Sequence, residues 1–148
     1  MAKSSSILKG KHKIMLKTTK GAEFIEVNDW VLGEIKGDNI LITTIQGRKF
    51  EVIQSSLQEL REALEKFDQP LFSLKSYVIN LEYVQRIERK DRSLNQNKRN
   101  YTYTVFMDNE QKFTLPKDKR KKFVDAVKAH FEIEPESEVG TLFDEVAP

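Results

Sequence analysis

Residues 24–53 read FIEVNDWVLGEIKGDNILITTIQGRKFEVI, and this stretch decides the fold. Short runs of aliphatic, aromatic and β-branched residues alternate there with turn residues, which is typical of strands joined by hairpins. The turn signals are Gly37-Asp38-Asn39 and Gln46-Gly47. The pattern predicts four strands, over residues 24–27, 30–35, 40–45 and 49–53.

A helix is predicted directly after these strands, beginning after Ser56 and ending before Pro70. Ser56 and Glu59 have the spacing of a capping box, in which a hydroxyl and a carboxylate accept hydrogen bonds from exposed backbone N–H groups. One face of this helix is apolar and comprises Leu57, Leu60, Leu64 and Phe67.

The rest of the chain predicts further strands and a second helix. The strands are expected over residues 76–80, 83–88, 101–106 and 111–115, and the helix over about residues 118–131. Residues 90–100 (KDRSLNQNKRN) lack apolar periodicity and are interpreted as a long exposed hairpin loop. Strands outnumber helices and most connections are short, which predicts a mainly β, antiparallel architecture with two helices packed against it.

The two ends of the chain differ in charge. Residues 1–13 are basic and Ser-rich and are predicted to form a flexible arm, whereas residues 132–148 form an acidic tail, predicted to be disordered. The tail carries −6, and because the whole chain carries +2, residues 1–131 carry +8. A basic body favours a polyanionic partner such as nucleic acid, although ordinary solvated surface can have the same composition.

Composition argues against several functional classes. The chain has no Cys, only two His, and no GxGxxG, GxxxxGK, GxSxG or metal-spaced motif. No apolar run exceeds three residues, so no membrane-spanning segment is expected. We therefore expect a cytoplasmic protein that is not an enzyme and that uses no cofactor or metal. The sequence leaves one catalytic arrangement open, in which carboxylates that are distant in sequence meet in the folded chain.

Three short stretches could contact phosphates: residues 36–39, 74–76 and 116–122. Lys75 interrupts an apolar stretch just before a predicted strand, and Lys117 follows Pro116 at a junction between strand and helix. Short loops on a β scaffold hold such side chains more rigidly than a flexible tail does. Each stretch taken alone is more commonly a solvated surface.

Residues 71–84 (LFSLKSYVINLEYV) resemble the most specific segment of the LytTR family of bacterial DNA-binding domains. The segments 29–44, 56–64 and 105–117 resemble, in order, the family's paired opening strands, its first helix and its closing hairpin. The similarity extends over about residues 12–131, and it predicts a LytTR-like domain over residues 14–131 that stands alone, without a receiver domain.

This resemblance implies a ten-stranded, mostly β fold whose loops enter two successive major grooves of bent duplex DNA. The loop positions that contact bases and backbone in the family fall on Asn39, Lys75 and Lys117, with Lys36, Lys119 and Arg120 as neighbours. It implies double-stranded DNA as the partner, with two copies on repeated half-sites in transcription regulation. Many family members carry Arg or His at the two positions where this chain has Leu74 and Lys75. The Lys ammonium is a point charge, whereas the Arg guanidinium is a forked hydrogen-bond donor.

Two other functions remain open at this point. The first is a protein-interaction module, with residues 140–146 of the acidic tail as a docking peptide, because Leu142 and Phe143 lie among carboxylates. The second is single-stranded RNA binding, with Tyr101, Tyr103 and Phe106 as a stacking surface.

Overall fold

The computed structural model describes residues 6–91, 101–108 and 110–132. The chain divides into two compact units, Met1–Tyr83 and Val84–Pro148. The described strands of the first unit are β1 (Ile7–Lys9), β2 (Lys13–Thr18), β3 (Gly21–Glu26), β4 (Trp30–Lys36), β5 (Asn39–Thr44), β6 (Lys49–Val52), β7 (Leu71–Ser73) and β8 (Tyr77–Asn80). Its helix α1 spans Leu57–Glu65, and 3-10 turns lie at Val27–Asp29 and Leu81–Tyr83.

The second unit contains β9 (Val84–Asp91), β10 (Tyr101–Met107), β11 (Lys112–Thr114), a 3-10 turn at Lys117–Lys119 and helix α2 (Arg120–His130). Neither of the two described helices has the length and apolar composition needed to cross a bilayer.

All described strand pairs are antiparallel, so the predicted mainly antiparallel β fold is confirmed. In the first unit the strand order is β1-β2-β6-β5-β4-β8-β7, with β3 paired to β2. In the second unit the order is β11-β10-β9. The described residues form eleven strands rather than the ten that the family resemblance implied.

The N-terminal segment differs from the prediction of a flexible arm over residues 1–13. Ile7 is only 6% exposed, and β1 pairs with β2 through Ile7 and Leu16. Gly10 N donates to Lys13 O at 2.8 Å and closes a tight turn between the two strands. Residues 7–9 therefore form a strand paired with β2 rather than part of a flexible arm.

Two other predicted segments fall largely beyond the described part of the chain. Strand β9 continues to Asp91, so the beginning of the loop expected at residues 90–100 is strand. Residues 92–100 and the acidic tail from residue 133 onward lie outside the described residues. The predicted flexibility of the tail stays a prediction.

The core of the first unit is built around β4 and α1. Trp30 is fully buried, as expected of a core residue, and its Nε1 donates to Gln69 Oε1 at 3.0 Å. Helix α1 begins as predicted, because Glu59 N donates to the Ser56 side chain at 3.2 Å. Leu60 on α1 is also fully buried, and it lies so close to Gly33 of β4 that a Cβ at Gly33 would overlap Leu60 Cδ2.

Residues 71–84, the segment that most resembles the LytTR pattern, include Asn80, whose side chain is almost fully buried. Asn80 Nδ2 donates to Trp30 O at 2.9 Å, and Asn80 Oδ1 accepts from Glu82 N at 3.0 Å. A buried amide of this kind is stable only when its hydrogen bonds are made. Asn80 therefore joins the end of β8 to the start of β4 and acts as a structural residue.

We predict that Gly33→Ala lowers the free energy of unfolding by about 1–3 kcal/mol, because the added methyl group must displace a packed leucine. Leu60→Ala alone should cost about 2–5 kcal/mol through the cavity that it leaves. Urea denaturation of the double variant should show a smaller loss than the sum of the two, since the new methyl occupies the vacated space. Strict additivity would contradict the contact.

Candidate nucleic-acid interface

Two turns of the first unit lie side by side at one end of its sheet. Lys36 and Asn39 pair across the turn that joins β4 to β5, where Gly37 has a φ of +60°. Strand β4 also pairs with β8, and Ile35 N donates to Ser76 O at 3.1 Å. The β4–β5 turn and the β7–β8 turn therefore share one end of the sheet. We call residues 36–39 and 74–77 the loop end.

The β7–β8 turn presents Lys75 to solvent. Leu74 N donates to Tyr77 O at 2.7 Å, which closes the turn. Leu74 is 8% exposed and anchors the loop, whereas Lys75 is exposed. The turn thus displays one cation from a fixed backbone, next to the turn that holds Lys36 and Asn39.

Lys36 and Asn39 are both bound to one carboxylate, that of Glu51 on β6. Lys36 Nζ lies 2.9 Å from Glu51 Oε1, and Asn39 Nδ2 donates to Glu51 Oε2 at 2.7 Å. Asn39 Oδ1 in turn accepts from Gln54 N at 3.0 Å. These bonds fix which way the Asn39 amide faces.

Sequence reasoning missed Glu51, although a signal for it exists. Glu51 lies between Phe50 and Val52, which are buried, so alternation along β6 places it on the opposite face. The register of β5 with β6 pairs Leu41 with Glu51, two residues along from Asn39. That register depends on the length of the turn at Gln46-Gly47, which the sequence alone indicates only approximately.

The surroundings of Glu51 also affect its titration. The hydrogen bond from the Lys36 ammonium, followed by that from the Asn39 amide, holds the pKa of Glu51 below its ordinary value of 4.5, while desolvation acts in the opposite direction. Glu51 is therefore an ionised carboxylate at neutral pH.

The second unit carries its cations at the start of α2. Lys119 N donates to Pro116 O at 3.0 Å in the turn that precedes the helix, and Lys117 is exposed. The first turn of α2 contains no acidic residue, and the N-cap residue Lys119 makes no side-chain capping bond. Cations at a helix N-terminus oppose the helix dipole, so helix stability does not explain them.

Arg120 is more engaged than its neighbours. Its guanidinium carbon lies 5.0 Å from the centre of the Tyr103 ring, within the second unit. Lys119 and Arg120 are half-buried, and Lys117, Lys121 and Lys122 are exposed. Of the sequence-predicted residues in this unit, Lys117 is thus the most accessible to a ligand.

The stacking surface required for single-stranded RNA does not form as predicted. Tyr103 is only 4% exposed, and Phe106, three residues further along β10, lies on the opposite face of the strand. The Phe106 ring instead lies near two cations: Arg86 Cζ is 3.8 Å and Lys112 Nζ is 5.9 Å from the centre of the ring. Tyr103 and Phe106 cannot form one platform, which removes the main support for this alternative.

The described ranges 6–91, 101–108 and 110–132 contain no group of three or more His, Cys, Asp or Glu residues that could hold a metal ion. What they contain instead is a set of Lys, Arg and Asn side chains on short turns and at a helix start. The described fold is antiparallel β, with polar and cationic side chains on its turns and at the start of α2.

Comparison with known proteins identifies the family. The family model described as the LytTr DNA-binding domain matches residues 20–128, and the chain belongs to this family. The family consists of DNA-binding domains rather than enzymes, and membership supports double-stranded DNA as the partner in transcription regulation.

One solved structure confirms the fold. It is described as the LytTr DNA-binding domain of a methyl-accepting/DNA response regulator from Bacillus cereus, with a TM-score of 0.59 and 20% sequence identity. The match covers 80% of this chain and 98% of that domain. A comparison with curated protein sequences gave no match.

The contacts of Glu51 predict a pH-dependent contribution to stability. Because the pKa of Glu51 is lowered in the folded chain, its contribution is present above about pH 4.5 and is lost as pH falls through the folded-state value. Glu51→Gln should therefore be less stable than wild type at neutral pH, and the difference should shrink in acid. Urea unfolding across that pH range measures it.

The Lys36→Gln variant provides the control, since it removes the largest cause of the shift and should weaken the same pH dependence. A stability difference between wild type and Glu51→Gln that stays constant from neutral to acid pH would contradict the assignment.

Proposed function

We propose that this chain binds double-stranded DNA sequence-selectively in bacterial transcription regulation, through loops that enter adjacent major grooves. The observation that carries the proposal is the loop end, where Lys36, Asn39 and Lys75 come together on two short hydrogen-bonded turns. Membership of the LytTr DNA-binding domain family supports it independently.

The loop end supplies side chains suited to reading base edges. An Asn amide can pair with adenine N6 and N7, and a Lys can donate to guanine O6 and N7 or to a phosphate. Lys75 is exposed and comes from a closed turn, so it can approach DNA with little loss of conformational freedom in the backbone. Asn39 is the adenine-reading candidate, although its contacts with Glu51 and Gln54 must rearrange or be shared.

The second unit supplies phosphate contacts. Residues 117–122 carry five cations and one carboxylate, that of Asp118. Lys117, Lys119 and Arg120 are the predicted contacts, and the adjacent Lys121 and Lys122 are exposed. Clustered cations favour an anion, so this segment suits the DNA backbone.

We further propose that two copies occupy repeated half-sites. The solved relative comes from a response regulator, and an analogous output role in regulation is proposed for this chain. A protein partner for the acidic tail at residues 132–148 stays a separate hypothesis, because that segment falls outside the described residues from 133 onward.

The decisive experiment selects bound duplexes from a random pool and then titrates variants against the selected duplex. Lys75→Ala should weaken binding to that duplex by about 1–3 kcal/mol and relax the preference at one base position, because a base contact is lost. Lys66→Ala is the matched control: it removes an exposed lysine at the C-terminal end of α1, outside the loop end. Equal affinities for wild type and Lys75→Ala would remove Lys75 from the interface.

A phosphate contact has a different signature. Lys117→Gln should weaken binding to selected and mixed-sequence duplexes alike, and should make the slope of log K against log salt shallower by about 0.9, the value for one released counterion. Lys66→Gln should leave the slope unchanged. If Lys117→Gln altered sequence preference without altering the slope, Lys117 would be a base-reading residue instead.

A further inference from the structure

We infer that Glu51 is a specificity-determining residue of the loop end, because its carboxylate binds Lys36 and Asn39 in the DNA-free protein and so withholds both from DNA of the wrong sequence. The inference rests on the proposed function, since it concerns the same loops. It assigns a role to an acidic side chain in a surface proposed to bind a polyanion.

The geometry divides the two carboxylate oxygens between two partners. Oε1 accepts from Lys36 at 2.9 Å and Oε2 accepts from Asn39 Nδ2 at 2.7 Å. The bond from Gln54 N to Asn39 Oδ1 holds the other side of the amide at 3.0 Å. The DNA-free loop end therefore has its Lys36 charge paired, and its Asn39 amide is held at both the nitrogen and the oxygen.

The charges at the loop end balance, unlike those in the second unit. Lys36 and Lys75 are offset by Asp38 in the same turn and by Glu51 beside it. Residues 117–122 instead carry five cations against one carboxylate. Of these two segments, residues 117–122 therefore attract the sugar–phosphate backbone of any sequence more strongly than the loop end does.

The Lys36–Glu51 pair is weak enough to exchange. The Lys36 side chain is 59% exposed and that of Glu51 is 34% exposed, and ion pairs at such positions contribute little net stability. A phosphate or a guanine edge can therefore take Lys36 away from Glu51. The carboxylate that is left behind faces approaching DNA and repels it, because like charges are then brought together without a compensating cation.

This repulsion discriminates between sequences. At a matching site, new bonds from Lys36 and from the second N–H of Asn39 to base edges offset the lost contacts and the repulsion. At a non-matching site those bonds are absent, and the repulsion remains. A group that penalises the wrong ligand improves specificity even though it lowers absolute affinity.

The test compares wild type with Glu51→Gln on two probes, the duplex selected from a random pool and a mixed-sequence duplex. We expect Glu51→Gln to bind the mixed-sequence duplex about fivefold more tightly, the factor that one unit-charge contact gives in water. Its salt slope should steepen by about 0.9, since Lys36 becomes free to neutralise a phosphate. The ratio of affinities for the selected and the mixed duplex should fall.

Glu26→Gln is the matched control, because it also removes one carboxylate from an ion pair, that with Lys13 at 3.7 Å, on strands β2 and β3 away from the loop end. An equal gain in Glu26→Gln would mean that only net charge matters, and would overturn the inference. Glu51→Asp keeps the negative charge, so it should retain most of the wild-type discrimination and salt slope. If Glu51 acted only through its structural contacts, keeping the charge would not be expected to preserve either property.

The outcomes separate this inference from the proposed function. If wild type shows no preference for the selected duplex, the proposed function fails and this inference fails with it. If wild type discriminates and Glu51→Gln discriminates equally with the same salt slope, only the inference is overturned. Circular dichroism and thermal unfolding of each variant verify that the compared proteins are folded.

Discussion

Strand β4 has to pair along both of its edges, with β5 on one side and β8 on the other, while helix α1 lies against one face. Gly33 makes this arrangement possible, because the absence of a side chain lets Leu60 of α1 approach the strand closely. Two connections far apart in sequence consequently end beside each other. The loop end is thus a product of sheet pairing, and its side chains are placed by backbone hydrogen bonds.

The two units distribute charge in different ways, and the difference has a physical meaning. In the first unit, Lys36 is bound to Glu51, and the loop end is balanced. At the start of α2, Lys121 and Lys122 are exposed, and the first turn of the helix contains no acidic residue. An arrangement that is unfavourable for an isolated helix is favourable for a protein that meets phosphates. Under the proposed function, the balanced loop end would contribute sequence selectivity, and the unbalanced start of α2 would contribute attraction to phosphates.

Local patterns predicted the elements better than the site. Alternation in residues 49–52, the turn at Gly37 and the cap at Ser56 were all readable, because each depends on residues close in sequence. Strands β1, β2 and β7 lie outside the predicted strands. Strands β1 and β7 have only three residues each, which gives little periodicity to recognise. The approach of Lys75 to Lys36 depends on pairing between β4 and β8, which no local pattern contains. The partners of Glu51 require the register of β5 on β6, so the carboxylate was invisible until the sheet was built.

Strand β7 forms one border of the first unit's sheet and consists of three residues. An edge strand this short exposes few unpaired backbone N–H and C=O groups, so a strand of a second chain has little to pair with. It also leads directly into the turn that carries Lys75. Copies of the chain crowded together would therefore have little tendency to polymerise through this border of the sheet.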